Sequence, residues 1–148
     1  AYTPVVDSSA IPTGEIASVE GTPMDFRTEK QIGQDIRADF EQLHFTGGYD
    51  HNYVLGRPGE KKIMANAYCR ESGIALEAET DCCGVQFYAG NFIGEQTGKG
   101  GASYHDRSAF CLESQFYPNA VNEPDFPSPV VKAGDTYHTE TSYRFYLR

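Results

Sequence analysis

Basic residues are scarce in this chain. Twelve Lys and Arg stand against 21 Asp and Glu, a formal charge of −9 over 148 residues, spread along the sequence instead of gathered into a tail. That balance argues against nucleic acid or an anionic membrane surface as a partner and suits a neutral ligand. No apolar run approaches the roughly 20 residues that span a bilayer, so no membrane helix is expected. Cysteine and histidine number four each. Their spacing matches neither Cys-x-x-Cys pairs nor His-Glu-x-x-His, so Cys82, Cys83, His44, His51 and His105 do not read as a zinc site. The run Gly94–Gly101 is no phosphate loop either. Its Gly94 to Gly98 gap is one residue short, and Gly100 stands where the magnesium-binding Ser or Thr is required. Neither a metal nor a nucleotide cofactor is expected, and Lys99 reads as a solvated side chain.

What remains fits one domain with a real core, provided its apolar faces find partners. Cys82 and Cys83 are neighbours that a disulfide would strain, and no export signal is visible. All four cysteines, Cys69 and Cys111 included, are expected as free thiols in a cytoplasmic protein, with Cys111 packed as a small apolar residue.

Periodicity assigns the elements. Residues 1–26 carry Pro4, Pro12, Pro23, Gly14 and Gly21 and read as extended and turn-rich, with a short strand around Ile16 and Val19. Thr28 and Gln31 form a possible capping box, and Ile32, Ile36, Phe40 and Leu43 follow at helical spacing, which predicts a short helix or helical turns. From Tyr49 the period becomes two. Strands are predicted over 49–55, over 62–70 with Ile63, Ala65, Ala67 and Cys69 on one face, and over 74–79, the last two joined as a hairpin through Ser72-Gly73. Further strands fall at Val85–Gly90, Ala109–Gln115 and Thr136–Leu147. Residues 91–108, rich in glycine, read as a mobile loop, and Tyr117–Pro129 as an irregular connection. The fold class is therefore all-β with at most one short helix.

The central stretch, Thr80–Gln115, holds the candidate chemistry. Val85, Phe87 and Ala89 alternate with Gln86 and Tyr88, and Phe110, Leu112 and Ser114 alternate with Cys111, Glu113 and Gln115. Gln86 and Glu113 thus lie off the apolar parity, as they would on a ligand-facing surface. By pattern alone Glu113 has two readings, a half-buried general base or an ordinary solvent-facing strand residue, and the pattern favours the second. Asp50, at the entrance to the first strand, is equally a hydrogen-bond acceptor for hydroxyls or a turn-stabilising residue. His51 shares parity with Tyr49, Tyr53 and Leu55 and reads as structural.

Ordered short motifs shift that balance. Ile11-Pro-Thr-Gly-Glu-Ile16, Gly21-Thr-Pro-Met-Asp-Phe-Arg27, Gly48-Tyr-Asp-His-Asn52, Gly84-Val-Gln-Phe-Tyr88, Gly90-Asn-Phe92, Gly98-Lys-Gly-Gly101, Cys111-Leu-Glu-Ser-Gln115 and Phe126-Pro-Ser128 follow one another as in the aldose 1-epimerase (galactose mutarotase) family, whose C-terminal part the chain resembles from end to end. The resemblance implies a portion of a large antiparallel β-sandwich of the galactose mutarotase-like supersandwich type. It matches Glu113 to the family's general base, Asp50 to its sugar-hydroxyl ligand and Gln86 to a pocket residue. The implied reaction interconverts the α and β anomers of a free aldohexose such as galactose or glucose, without metal or nucleotide. The family's acid, a histidine, lies upstream of the Ile-Pro-Thr-Gly motif, and none of His44, His51, His105 or His138 matches it. Residues 1–148 are accordingly expected to be the C-terminal portion of one such domain, inactive alone, with a second chain or segment supplying the N-terminal half. Cys82-Cys83 departs from the proline that commonly precedes the family's Gly-Val-Gln. Two alternatives stay open, a non-catalytic carbohydrate-binding or regulatory module of the same fold and a sugar-phosphate epimerase, the latter disfavoured because no Arg or Lys cluster accompanies the site.

Overall fold

The computed structural model describes all residues, Ala1–Arg148. Two three-stranded antiparallel sheets form the body. The first has the order β1 (Asp50–Val54), β4 (Gly84–Tyr88), β7 (Cys111–Gln115), and the second the order β2 (Lys62–Tyr68), β3 (Ile74–Thr80), β8 (Thr141–Leu147). The two sheets meet at Val85, Met64 and Ala78, all buried. Hydroxyls pin them as well: Ser114 Oγ lies 2.6 Å from Thr141 Oγ1, and Tyr143 donates to the Leu112 carbonyl at 3.0 Å. A larger core gathers Tyr2, Val19, Met24, Ile36, Leu43, Tyr49, Phe87 and Ala89 against the first sheet. Phe26 stands edge-on to both Tyr49 and Phe87, at centroid separations of 5.0 and 5.4 Å.

Several predicted elements differ in extent. The helical pattern from Thr28 yields successive turns, closed by Gln34 N–H to Gln31 and Ala38 N–H to Asp35, and a continuous helix only at α1 (Glu41–Thr46). No side chain caps it at Phe40, so the Thr28–Gln31 box does not start a helix, and Gly33 sits where the first turn would have to hold. Ile36 still packs inward, because an irregular turn satisfies the same inward spacing, and Leu43 packs inward from α1. Gly47 ends α1 with φ 66°, a left-handed value that suits glycine, and its N–H bonds Leu43. The expected strand around Ile16 and Val19 is a single bridge, Tyr2 to Ala17.

In β2 the register slips between Ile63 and Ala65. Met64 is the inserted residue, so Ile63 turns out to 53% exposure while Met64 buries, and Ile63 does not share a face with Ala65 and Ala67. The last strand starts at Thr141, not Thr136. Its partner β3 ends at Thr80, and residues 136–140 have no ladder to join. The loop 91–108 is more ordered than its composition suggests: β5 (Gln96–Thr97) pairs with β6 (Ser103–Tyr104) around a 3₁₀ turn at Lys99–Gly101. The connection after Tyr117 is irregular, as expected, and buries Tyr117, Ala120 and Phe126 beside Cys83.

Candidate active site on the polar face of the first sheet

The antiparallel register of β1, β4 and β7 decides which side chains meet. Asp50, Tyr88 and Cys111 form one cross-strand row, Asn52, Gln86 and Glu113 the next, and Val54, Gly84 and Gln115 the third, all on one face. The opposite face carries His51, Phe87 and Leu112, then Tyr53, Val85 and Ser114, and turns toward the core. One strand parity therefore buries the apolar set and gathers the three sequence-predicted residues on the other side.

Gln86 is the centre of the arrangement. Its Nε2 donates to Asp50 Oδ1 at 2.8 Å, one step diagonally across the sheet. Glu113 stands directly opposite Gln86 on the neighbouring strand and is exposed. Asp50 is further fixed through its backbone, whose N–H points at His51 Nδ1 at 3.3 Å. The sequence thus brings Asp50, Gln86 and Glu113 to a common surface from three different strands.

His51 is structural. It is fully buried on the core side with the Tyr2 ring edge-on at 5.9 Å, and burial pulls its pKa down to about 4. His44, His105 and His138 lie outside the two sheets, and none stands in a strand on the polar face. No cluster of three or more His, Cys, Asp or Glu side chains has the arrangement of a metal site.

Cys111 corrects an expectation. It is not packed as a small apolar residue but exposed on the polar face, and its thiol pKa is raised, first by desolvation and then by the Glu113 and Asp50 carboxylates. Its parity with Glu113 already carried that information. All four thiols are free, and Cys82 and Cys83 are buried. Cys83 Sγ reaches the Gln115 carbonyl at 3.7 Å, which ties the entry of β4 to the end of β7.

Pattern reading missed three further residues. Tyr88 accepts the Phe92 N–H at 2.9 Å and hooks the 91–108 loop to the polar face. Asn52 and Gln115 lie on the same parity, and Gln115 Nε2 reaches Gln86 Oε1 at 3.2 Å and Asn52 Oδ1 at 3.4 Å. Gly84 permits this close packing. A Cβ there would stand 2.4 Å from Asn52 Oδ1 and 2.9 Å from the Tyr117 ring. Two clefts, of about 240 and 470 Å³, lie elsewhere, the first lined by Ile36, Arg107 and Phe110 among others and the second by Asp81, Val131 and His138 among others.

The sequence matches the family model for aldose 1-epimerase over residues 1–144. It is 44% identical to the galactose mutarotase of Bos taurus over 95% of this chain and 40% of that protein, and 36% identical to the aldose 1-epimerase of Escherichia coli K12 over 97% and 42%. Among solved structures, a GalM/aldose epimerase homologue from C. elegans superposes with a TM-score of 0.78 at 30% identity, covering 99% of this chain and 43% of the other. The chain spans about two fifths of the length of the curated relatives it matches. With its antiparallel sheets, its polar strand face and this agreement along nearly its whole length, the chain belongs to the aldose 1-epimerase family.

Proposed function

We propose that this chain forms the base-bearing wall of an aldose 1-epimerase site, which interconverts the α and β anomers of a free aldohexose such as galactose or glucose. The observation that carries the reading is the placement of Glu113 beside the Asp50–Gln86 pair on one sheet face. Two carboxylates and one amide donor suit a polyol, whose hydroxyls both donate and accept. In this reading Asp50 and Gln86 hold ring hydroxyls, while Glu113 takes the proton from the anomeric hydroxyl. An acid from outside these residues protonates the ring oxygen, the ring opens, the aldehyde carbon rotates, and reclosure gives either anomer. Base and acid exchange roles on closure, which a carboxylate does readily because both transfers are reversible.

The acid, a histidine by family resemblance, belongs in this reading to a complementary N-terminal portion, in the same polypeptide or a second one. The relatives' greater length supports that division. So does the second sheet, where Ile74, Phe145 and Leu147 are 48, 68 and 80% exposed and await a cover. Four free thiols support a reducing compartment, the cytoplasm, as its setting.

Polarimetry on freshly dissolved α-galactose tests the reading. The protein with its complementary portion speeds the drift in rotation, and residues 1–148 alone give no rate above solvent. Carbohydrate binding without any acceleration by the complete protein would favour a binding module, and substantial mutarotation by 1–148 alone would overturn the placement of the acid.

A further inference from the structure

We propose that Gln115 is a positioning residue that locks the Gln86 amide in one orientation, so that Gln86 offers the sugar its second Nε2 proton and not its carbonyl. The inference rests on the sugar-site reading above and adds a residue to it.

The direction of the network follows from a single charge. Asp50 as a carboxylate only accepts hydrogen bonds, so the Gln86 group 2.8 Å from its Oδ1 must be the amide nitrogen. Gln86 Oε1 then faces the other way, toward β7, where it needs a donor. Gln115 Nε2 supplies one at 3.2 Å and at the same time reaches Asn52 Oδ1 at 3.4 Å. An oxygen in that position would face two acceptors, so the Gln115 amide is itself fixed. Asn52 cannot drift away, being 1% exposed with its Oδ1 against Gly84. Gln115 therefore donates both to Asn52 and to Gln86, and Gln86 donates on to Asp50, a network that runs across three strands.

The lock has a consequence for Glu113. Gln86 stands directly opposite Glu113 in register, yet its amide is stretched diagonally between Asp50 and Gln115. Held at both ends, it does not turn to donate to the Glu113 carboxylate, which keeps that carboxylate free to take a proton. Without Gln115, Gln86 Oε1 loses its donor, and only the bond to Asp50 restrains the amide.

Two variants in the full-length protein test this. Gln115→Met keeps length and removes the donor; Gln115→Glu keeps shape and places an acceptor against two acceptors. The ligand-free readout is the Gln86 side-chain amide pair in ¹⁵N NMR, assigned by its loss in Gln86→Met. In Gln115→Met the two proton shifts are expected to converge toward free-amide values and their exchange with water to quicken. With galactose, KM is expected to rise about tenfold while kcat stays within about threefold, as for a lost binding interaction, and Gln115→Glu to be worse. A side chain that merely fills space predicts wild-type behaviour in both. Unmoved Gln86 resonances in Gln115→Met, or KM within twofold of wild type in both variants, would overturn the proposal. An inactive wild-type protein would remove the sugar reading, while the amide resonances still decide the lock. Circular dichroism melts verify folding, and Gln115→Met alone suffices if the charged variant does not fold.

Discussion

His51 gives this fold a dependence on pH that can be worked out from its surroundings. The ring is fully buried, and burial lowers its pKa from the ordinary 6.5 to about 4. Protonation would also remove the lone pair that faces the Asp50 N–H. Between these two values the unfolded chain binds the proton and the folded chain does not. His51 therefore favours the folded state fully above pH 6.5, and that contribution is lost as pH falls toward 4. At pH 4.5 the loss amounts to about 2 to 3 kcal/mol for one such group. Carboxylates titrate in the same range, so the quantity to measure is a difference. Guanidinium unfolding of wild type and His51→Gln, at pH 7.5 and pH 4.5, isolates it. Wild type is expected to lose about 2 to 3 kcal/mol more than the variant over that interval. Equal losses would show that the folded protein accommodates the imidazolium and that the burial argument is wrong.

Three other perturbations follow from the geometry. Gly84→Ala places a methyl 2.4 Å from Asn52 Oδ1 and 2.9 Å from the Tyr117 ring, both on buried side chains. A cost of about 1–3 kcal/mol is expected, seen as a thermal midpoint lower by several degrees and partly restored by Asn52→Ala in the same chain. Asp50→Ala leaves the Gln86 Nε2 without its charged partner, and KM for galactose is expected to rise about 10–100-fold, more than kcat falls. Residues 1–148 alone are expected to elute as an associated species in size-exclusion, with Phe145→Glu and Leu147→Glu raising the monomer share; a clean wild-type monomer would contradict the account of that exposed face.

The strands that carry the site were legible because they alternate cleanly. Phe87 and Leu112 mark one face, and Gln86 and Glu113 follow on the other without any knowledge of the partner strands. What parity does not give is register. That Gln86 bonds Asp50 diagonally and faces Glu113 directly depends on how β1, β4 and β7 align, which is set by contacts far apart in sequence. The bulge at Met64 was invisible for the same reason: Ile63, Ala65 and Ala67 alternate in sequence but not in space. The stretch from Thr28 to Phe40 has helical spacing, yet turns bury Ile36 equally well, and tertiary packing decides between them. Cys111 was misplaced because its residue type, a frequent core former, was weighted above its position in the strand.

Mutarotation by the full-length protein carrying Glu113→Gln tests the central claim most directly. The substitution keeps the side chain's shape and replaces one carboxylate oxygen with an amide nitrogen, which cannot take a proton as the assigned base must. Polarimetry with α-galactose is expected to show kcat reduced about 10²–10⁴-fold with KM little changed. A variant that turns over the sugar within a few-fold of wild type would contradict the assignment of Glu113 as the base.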